Sequence, residues 1–133
     1  MTVSKKQFVL TYCAARIGYA VGLIVAPARV ARPWLGDISR ASTQIATRGL
    51  GIRELALCTG ALATSASGAP ARWWLAACAA SDSVDLASTL LAEDRDLPSH
   101  AKVGTVLAAG SFGAVAAALA LRERSGEQPL ADR

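Results

Sequence analysis

The segment TRGLGIRELALCTG, Thr47 to Gly60, decides the fold because it places charged side chains inside an apolar run. Its leucine, isoleucine, alanine and glycine residues are typical of a helix that crosses a bilayer. The segment nevertheless contains Arg48, Arg53 and Glu54. A single charge at the centre of a bilayer costs roughly 3 kcal/mol on insertion scales, so these side chains are expected to face other helices and to pair. The segment therefore predicts a membrane helix with a polar, buried face.

Four apolar segments of this kind follow one another along the 133 residues. Each has about the 20 residues that a helix needs to cross ~30 Å of hydrocarbon. The last segment has no charged residue from Val103 to Leu121, so it lacks the polar stripe that a helix of a soluble bundle presents to water. The sequence predicts an all-α, four-helix transmembrane bundle as a single domain, 1–124, followed by a polar, disordered tail, 125–133. The predicted helices cover about 8–26, 43–64, 71–92 and 101–121.

The composition favours a membrane protein over several other classes. Hydrophobic residues make up 53% of the chain and charged residues 18%, whereas soluble domains carry about 25% charged residues. The net charge of +4 comes from basic residues scattered over the connectors, without the dense basic patch of a nucleic-acid-binding protein. Lys5 and Lys6 with the small residues at 26–28 resemble a cleavable signal. Arg16 interrupts the apolar core of such a signal, so a retained first helix is predicted.

The connectors predict the orientation of the chain in the membrane, and the first connector is compatible with two structures. Six basic residues lie on the side of the termini and five on the other side, a narrow excess that places the termini in the cytoplasm. The first connector contains ARVARPWLGDIS at 28–39, which fits either a short amphipathic helix in the headgroup region or a plain basic loop. Trp34, Trp73 and Trp74 stand near the ends of apolar segments and are predicted to lie at the membrane interface.

Six ionisable residues fall inside the predicted helices, and their charges balance. They are Arg16 in the first helix, Arg48, Arg53 and Glu54 in the second, and Asp82 and Asp85 in the third. With a rise of about 1.5 Å per residue, four of them are expected at one level near mid-membrane, and Arg48 and Asp85 are displaced toward the same side. The predicted pairs are Arg16 with Glu54, Arg53 with Asp82, and Arg48 with Asp85.

Two interpretations of these charges stay open. In the first, they form a structural cluster that fixes helix pairing and register, helped by Gly49 and Gly60, which permit close packing. In the second, they line a polar cavity that binds or transports a small molecule, a lipid or protons. A membrane-embedded enzyme ranks third, because the sequence contains no recognisable pair of nucleophile and base.

Cysteine and histidine give little support to other chemistry. Cys13, Cys58 and Cys78 lie on the first three helices, and no CxxC motif is present. A soft-metal site of three thiolates is the weak alternative to ordinary buried core cysteines. His100 is the only histidine and falls in a connector. No cofactor and no nucleic acid are therefore expected. The expected partners are the lipid bilayer and either a second copy of the chain or another membrane protein.

The stretch GIRELALCTGAL at 51–62, followed by ASDSVDLAS at 80–88, carries a resemblance to a known group. The chain resembles an uncharacterised family of small bacterial four-helix integral membrane proteins, a domain of unknown function. In that family a glycine–x–arginine–acid–leucine motif on helix two precedes an aspartate–x–x–aspartate motif on helix three. The matching residues are Gly51, Arg53, Glu54, Leu55, Asp82 and Asp85, with Arg16 and Pro27 matching more loosely. Glu54 stands where aspartate is more common. The resemblance implies a four-helix fold in the bacterial inner membrane and no particular mechanism.

Overall fold

The structure is a computed structural model, and it describes residues 5–93, 97 and 99–125. Over these residues the chain forms five α-helices and no strand. The helices are α1 (Lys5–Val25), α2 (Pro27–Leu35), α3 (Ala41–Ala66), α4 (Arg72–Leu91) and α5 (Ser99–Ser125). The four long helices coincide with the four apolar segments, and α2 is a fifth helix inside the first connector. Of the tail predicted to be disordered, residues 126–133 lie outside the described residues.

Two of the long helices have the length and composition of membrane spans. In α1 the span Lys6–Val25 has a mean hydropathy of 1.7, and in α5 the span Ser99–Glu123 has 1.8. Helices α3 and α4, with 26 and 20 residues, are long enough but more polar, because they carry most of the charges inside the predicted spans. The all-helical prediction is thus confirmed, and membrane-span character is found for two helices rather than four.

The first connector folds as a helix, which decides between the two structures that its sequence allowed. Pro27 occupies the first turn of α2, where its missing N–H is no loss and its fixed φ favours the helix. The chain turns sharply here, and α2 packs against α1, α3 and α5. Its buried residues are Pro27 and Ala31, so α2 covers one end of the bundle.

Two turns depend on glycine. Gly36 ends α2 with a φ of 79°, and Gly68 follows α3 with a φ of 81°, a left-handed conformation that costs other residues free energy. After Gly36, the Ser39 N–H donates to Asp37 Oδ1 at 2.9 Å and the Ser39 hydroxyl donates to Asp37 Oδ2 at 3.0 Å. These two bonds hold the pKa of Asp37 below its ordinary value.

The four long helices pack as two antiparallel pairs. Helix α1 lies along α3, and α4 lies along α5. Gly51 brings the first pair together, since a Cβ at this position would lie 2.8 Å from the Ala20 carbonyl oxygen. The two pairs meet through α3 and α4 and through α2. This arrangement leaves room between the pairs at the end that α2 covers.

Candidate functional site: a charged cluster beside a cavity

Arg16 is the centre of a hydrogen-bond network that joins α1, α3 and α4. Its Nε and Nη2 donate to Glu54 Oε2. Its Nη1 donates to Asp82 Oδ2 at 2.5 Å and its Nη2 to Asp82 Oδ1 at 2.8 Å. Nη1 also donates to the Tyr12 hydroxyl at 2.7 Å. These five bonds use all five N–H groups of the guanidinium, so Arg16 has no donor left for another partner.

Two aromatic rings complete the surroundings of Arg16. Its guanidinium carbon lies 5.5 Å from the centre of the Tyr12 ring and 5.3 Å from that of the Phe112 ring. The two rings contact each other edge to face, with centroids 6.1 Å apart. Attraction between a cation and the π faces compensates part of the cost of burying the charge. Phe112 thereby links α5 to the charged groups of the other helices.

Arg53 forms a second and more exposed layer of the network. It donates to both oxygens of Asp85, at 3.1 and 2.5 Å, and to Glu54 Oε1 at 3.2 Å. The Arg53 and Asp85 side chains are 35% and 32% exposed, against 5% for Arg16. Glu54 accepts from both arginines and connects the layers. We call Arg16, Arg53, Glu54, Asp82 and Asp85 the charged cluster.

The pairing differs in part from the sequence prediction. The pair of Arg16 with Glu54 is confirmed. The pair of Arg53 with Asp82 is wrong, because Asp82 turns toward Arg16 and Arg53 takes Asp85. Depth along the helix axis correctly identified charged residues at the same level. Which of them pair depends on the face of each helix that they occupy.

Arg48 lies outside the charged cluster, so its predicted pair with Asp85 is also wrong. Its side chain is exposed and its Nε donates to the Ile24 carbonyl oxygen at 3.2 Å. Five residues separate Arg48 from Arg53, which places the two side chains about 140° apart around α3. Arg53 points to α4, whereas Arg48 reaches the C-terminal turn of α1.

A cavity of about 380 Å³ adjoins the charged cluster in the half of the bundle that α2 covers. One side of its wall is charged and consists of Arg16, Glu54, Asp82 and Asp85. Arg53 is not part of this wall, because it binds Asp85 and Glu54 from behind. Three carboxylates and one guanidinium therefore border the cavity.

The rest of the wall is mostly apolar and comes from every helix. Tyr19, Trp34, Leu50 and Phe112 supply the large side chains. Helix α5 supplies the small residues Gly104, Ala108 and Ala109, which leave the space open. Hydroxyl groups come from Ser88, Thr89 and Thr105. The site thus combines a charged end with apolar walls and a few hydrogen-bonding groups.

Sequence reasoning missed the contributions of α2 and α5 to this site. Trp34, predicted at the membrane interface, also lines the cavity. In α5 the residues Gly104, Ala108 and Phe112 are spaced four apart, so they share one face. That stripe was visible in the sequence, but nothing in it indicated which helix the stripe would oppose.

The three cysteines lie on the other side of Arg16 from the cavity. Cys13, Cys58 and Cys78 are fully buried and are free thiols. The Cys58 thiol is within hydrogen-bonding reach of both others, so the sulfurs form a row from α1 through α3 to α4. Among the described residues, no group of three histidine, cysteine or acidic residues is arranged to hold a metal ion. The alternative of a three-thiolate metal site therefore gains no support.

Comparison with protein-family models, with curated proteins and with solved structures finds no match for this chain.

Proposed function

We propose that this chain is a four-span integral membrane protein whose cavity binds a small amphiphilic molecule next to the charged cluster. The observation that carries the proposal is the cavity itself. A cluster that only joined helices would need no open space beside it. A volume of about 380 Å³ with apolar walls and a few convergent polar groups is typical of small-molecule sites.

The outward faces of the bundle support its placement in a membrane. Ile52 on α3 and Val84 on α4 are 59% and 62% exposed, and Leu107 on α5 is 65% exposed. Large exposed apolar surfaces on several helices at once are costly in water and suited to lipid. Of the charges within these two helices, Glu54 and Asp82 are buried, and Arg53 and Asp85 are paired with each other, which leaves Arg48 exposed. The polar character of these two helices is therefore compatible with spanning.

The proposed location is the bacterial inner membrane, with the termini in the cytoplasm. Trp73, at the start of α4, is 72% exposed, as expected of an interfacial anchor. Extraction of membranes with alkaline carbonate tests the placement. The protein should stay in the pellet with the lipid, whereas a soluble or peripheral helical bundle would be released into the supernatant.

The charged cluster also has a structural role in this proposal. Arg16 bonds residues of α3 and α4, so it connects the first helix to the next two long helices. Binding and architecture then share the same side chains, as ligand sites between helices of a bundle often do. The two roles are separable, because only the side of the cluster that faces the cavity can contact a ligand.

Ligand binding is testable with a neutral probe and an intrinsic fluorophore. The chain has three tryptophans, and only Trp34 lines the cavity. A Trp73→Phe/Trp74→Phe background in phosphatidylcholine nanodiscs therefore makes Trp34 the reporter. Titration with 2-phenylethanol, which has an apolar body and a hydroxyl head, should change Trp34 fluorescence saturably.

A matched pair of α5 variants separates binding from partition into lipid. Ala109→Phe should fill the cavity and abolish the saturable signal. Ala118→Phe places the same side chain on an exposed position of the same helix and should leave the signal intact. A response that rises linearly with probe in every variant would refute ligand binding and leave the cluster with its structural role alone.

A further inference from the structure

The charged cluster is not electrically neutral. It contains two guanidinium groups, of Arg16 and Arg53, and three carboxylates, of Glu54, Asp82 and Asp85. With Arg48 outside it, its formal charge is −1. All three carboxylates border the cavity, together with the guanidinium of Arg16. A low-dielectric environment makes such an excess of negative charge unfavourable unless a positive charge joins it.

The hydrogen-bonding capacity of the charged part of the wall is equally one-sided. All five N–H groups of Arg16 are used within the protein. Each oxygen of Asp82 and of Asp85 accepts one bond from an arginine and keeps a further lone pair. The charged part of the wall can therefore accept more hydrogen bonds but donate none. At this part of the wall an anion would be repelled and a hydrogen-bond donor would find partners, whereas the donors of the cavity, Trp34 Nε1 and the hydroxyl groups, belong to the remainder of its wall.

From these two observations we propose that the cavity selects a small organic monocation, an ammonium group on an apolar body. This inference rests on the proposed function and specifies its ligand class. The ammonium would lie against Asp82 and Asp85 and supply the positive charge that the cluster lacks. The apolar body would contact Tyr19, Trp34 and Phe112, whose rings also suit a neighbouring cation.

Three probes of similar size test the charge preference in the same Trp34 reporter protein. They are 2-phenylethylammonium, 2-phenylethanol and phenylacetate, measured in uncharged phosphatidylcholine nanodiscs and corrected for partition into empty discs. The ammonium should bind at least about tenfold more tightly than the alcohol, since charge-assisted bonds are roughly twice as strong as neutral ones. Phenylacetate should bind most weakly.

Two variants test whether the charge count is the cause. Asp85→Asn makes the cluster neutral and should reduce the preference for ammonium over alcohol to about twofold or less. Arg53→Gln/Asp85→Asn removes one charge of each sign, restores the net −1, and should restore the preference. Asp37→Asn removes an exposed acid outside the cavity and is the matched control, with the preference unchanged.

The outcomes distinguish this inference from the proposed function. Saturable binding of all probes with no advantage for ammonium would overturn the charge preference and leave the binding site in place. No saturable binding of any probe would overturn both. If Asp85→Asn does not fold, the three probes on the reporter protein still decide the preference. A preference that survives in a folded Asp85→Asn protein would overturn the charge-count explanation.

Discussion

Arg16 divides the bundle into two halves that are built from the same long helices and packed in different ways. On one side, which we call the closed half, the interior is filled by Cys13, Cys58, Leu75 and Cys78, all fully buried. On the other side, which we call the cavity half, small residues of α5 face the cavity and α2 covers the end. The difference shows that these helices can pack closely and that they leave a cavity beside the charged cluster.

The charged cluster likewise consists of two layers. Arg16 with Glu54 and Asp82 forms the buried inner layer, and Arg53 with Asp85 forms the more exposed outer layer. Arg16 is enclosed by its partners and two aromatic rings, whereas Arg53 and Asp85 remain about one-third exposed. Removing one partner of a buried ion pair is strongly destabilising, because an uncompensated charge stays behind. An exposed pair is weakened by solvent and contributes far less. The two layers should therefore respond very differently to similar substitutions.

The largest effect is expected from Arg16→Met. It removes the donor of five hydrogen bonds and leaves Glu54 and Asp82 buried without it, so unfolding should become easier by about 3–5 kcal/mol. The measurement is thermal unfolding in detergent, followed by circular dichroism. The control is Arg16→Met/Glu54→Gln/Asp82→Asn, which removes all three charges and should recover most of the loss. A single variant as stable as the parent protein would show that the inner layer does not hold the helices together.

The charged cluster also shows which features of the site could be predicted from the sequence. Helix positions and the level of each charge in the bundle follow from apolar length and the rise per residue, and Arg16 and Glu54 are thereby placed at the same level. The partners of Arg53 and Arg48 cannot be predicted in this way, because they depend on how each helix is rotated about its axis. That rotation is set by packing over the whole interface, to which any single residue contributes little.

The glycines of α3 show the same dependence on helix rotation. Gly49 was predicted to permit close packing, yet a Cβ there would meet nothing within 4 Å. Gly51, two residues later, lies against the backbone of α1. Gly60, predicted together with Gly49, does pack closely, since a Cβ there would lie 2.6 Å from the Trp74 ring. Which glycine of α3 contacts α1 depended on helix rotation.

An intermediate effect is therefore expected from Gly51→Ala. The new methyl group would lie 2.8 Å from the Ala20 carbonyl oxygen and 3.0 Å from Leu23 Cβ, so α1 and α3 must separate, at a cost of about 1–3 kcal/mol. Gly49→Ala is the matched control and should be neutral or stabilising by up to about 1 kcal/mol, because alanine favours helix over glycine. Thermal unfolding of both variants makes the comparison. If Gly51→Ala and Gly49→Ala have the same stability, the α1–α3 contact in the cavity half is loose. The open space would then extend beyond the region between the two helix pairs.

The smallest effect is expected from the outer layer, in a double-mutant cycle of Arg53→Gln and Asp85→Asn. Their coupling should be below about 1 kcal/mol, because both side chains are partly exposed, and it should shrink further when salt is raised. The same cycle on Arg16→Gln and Asp82→Asn should give a clearly larger coupling that salt barely changes. Equal couplings would remove the distinction between the layers. If the coupling is small for Arg53 with Asp85 but large for Arg16 with Asp82, then Arg53 holds the Asp85 carboxylate in place without this pair being essential to the fold. Such a group can exchange partners with a bound ligand while the buried layer keeps the helices together.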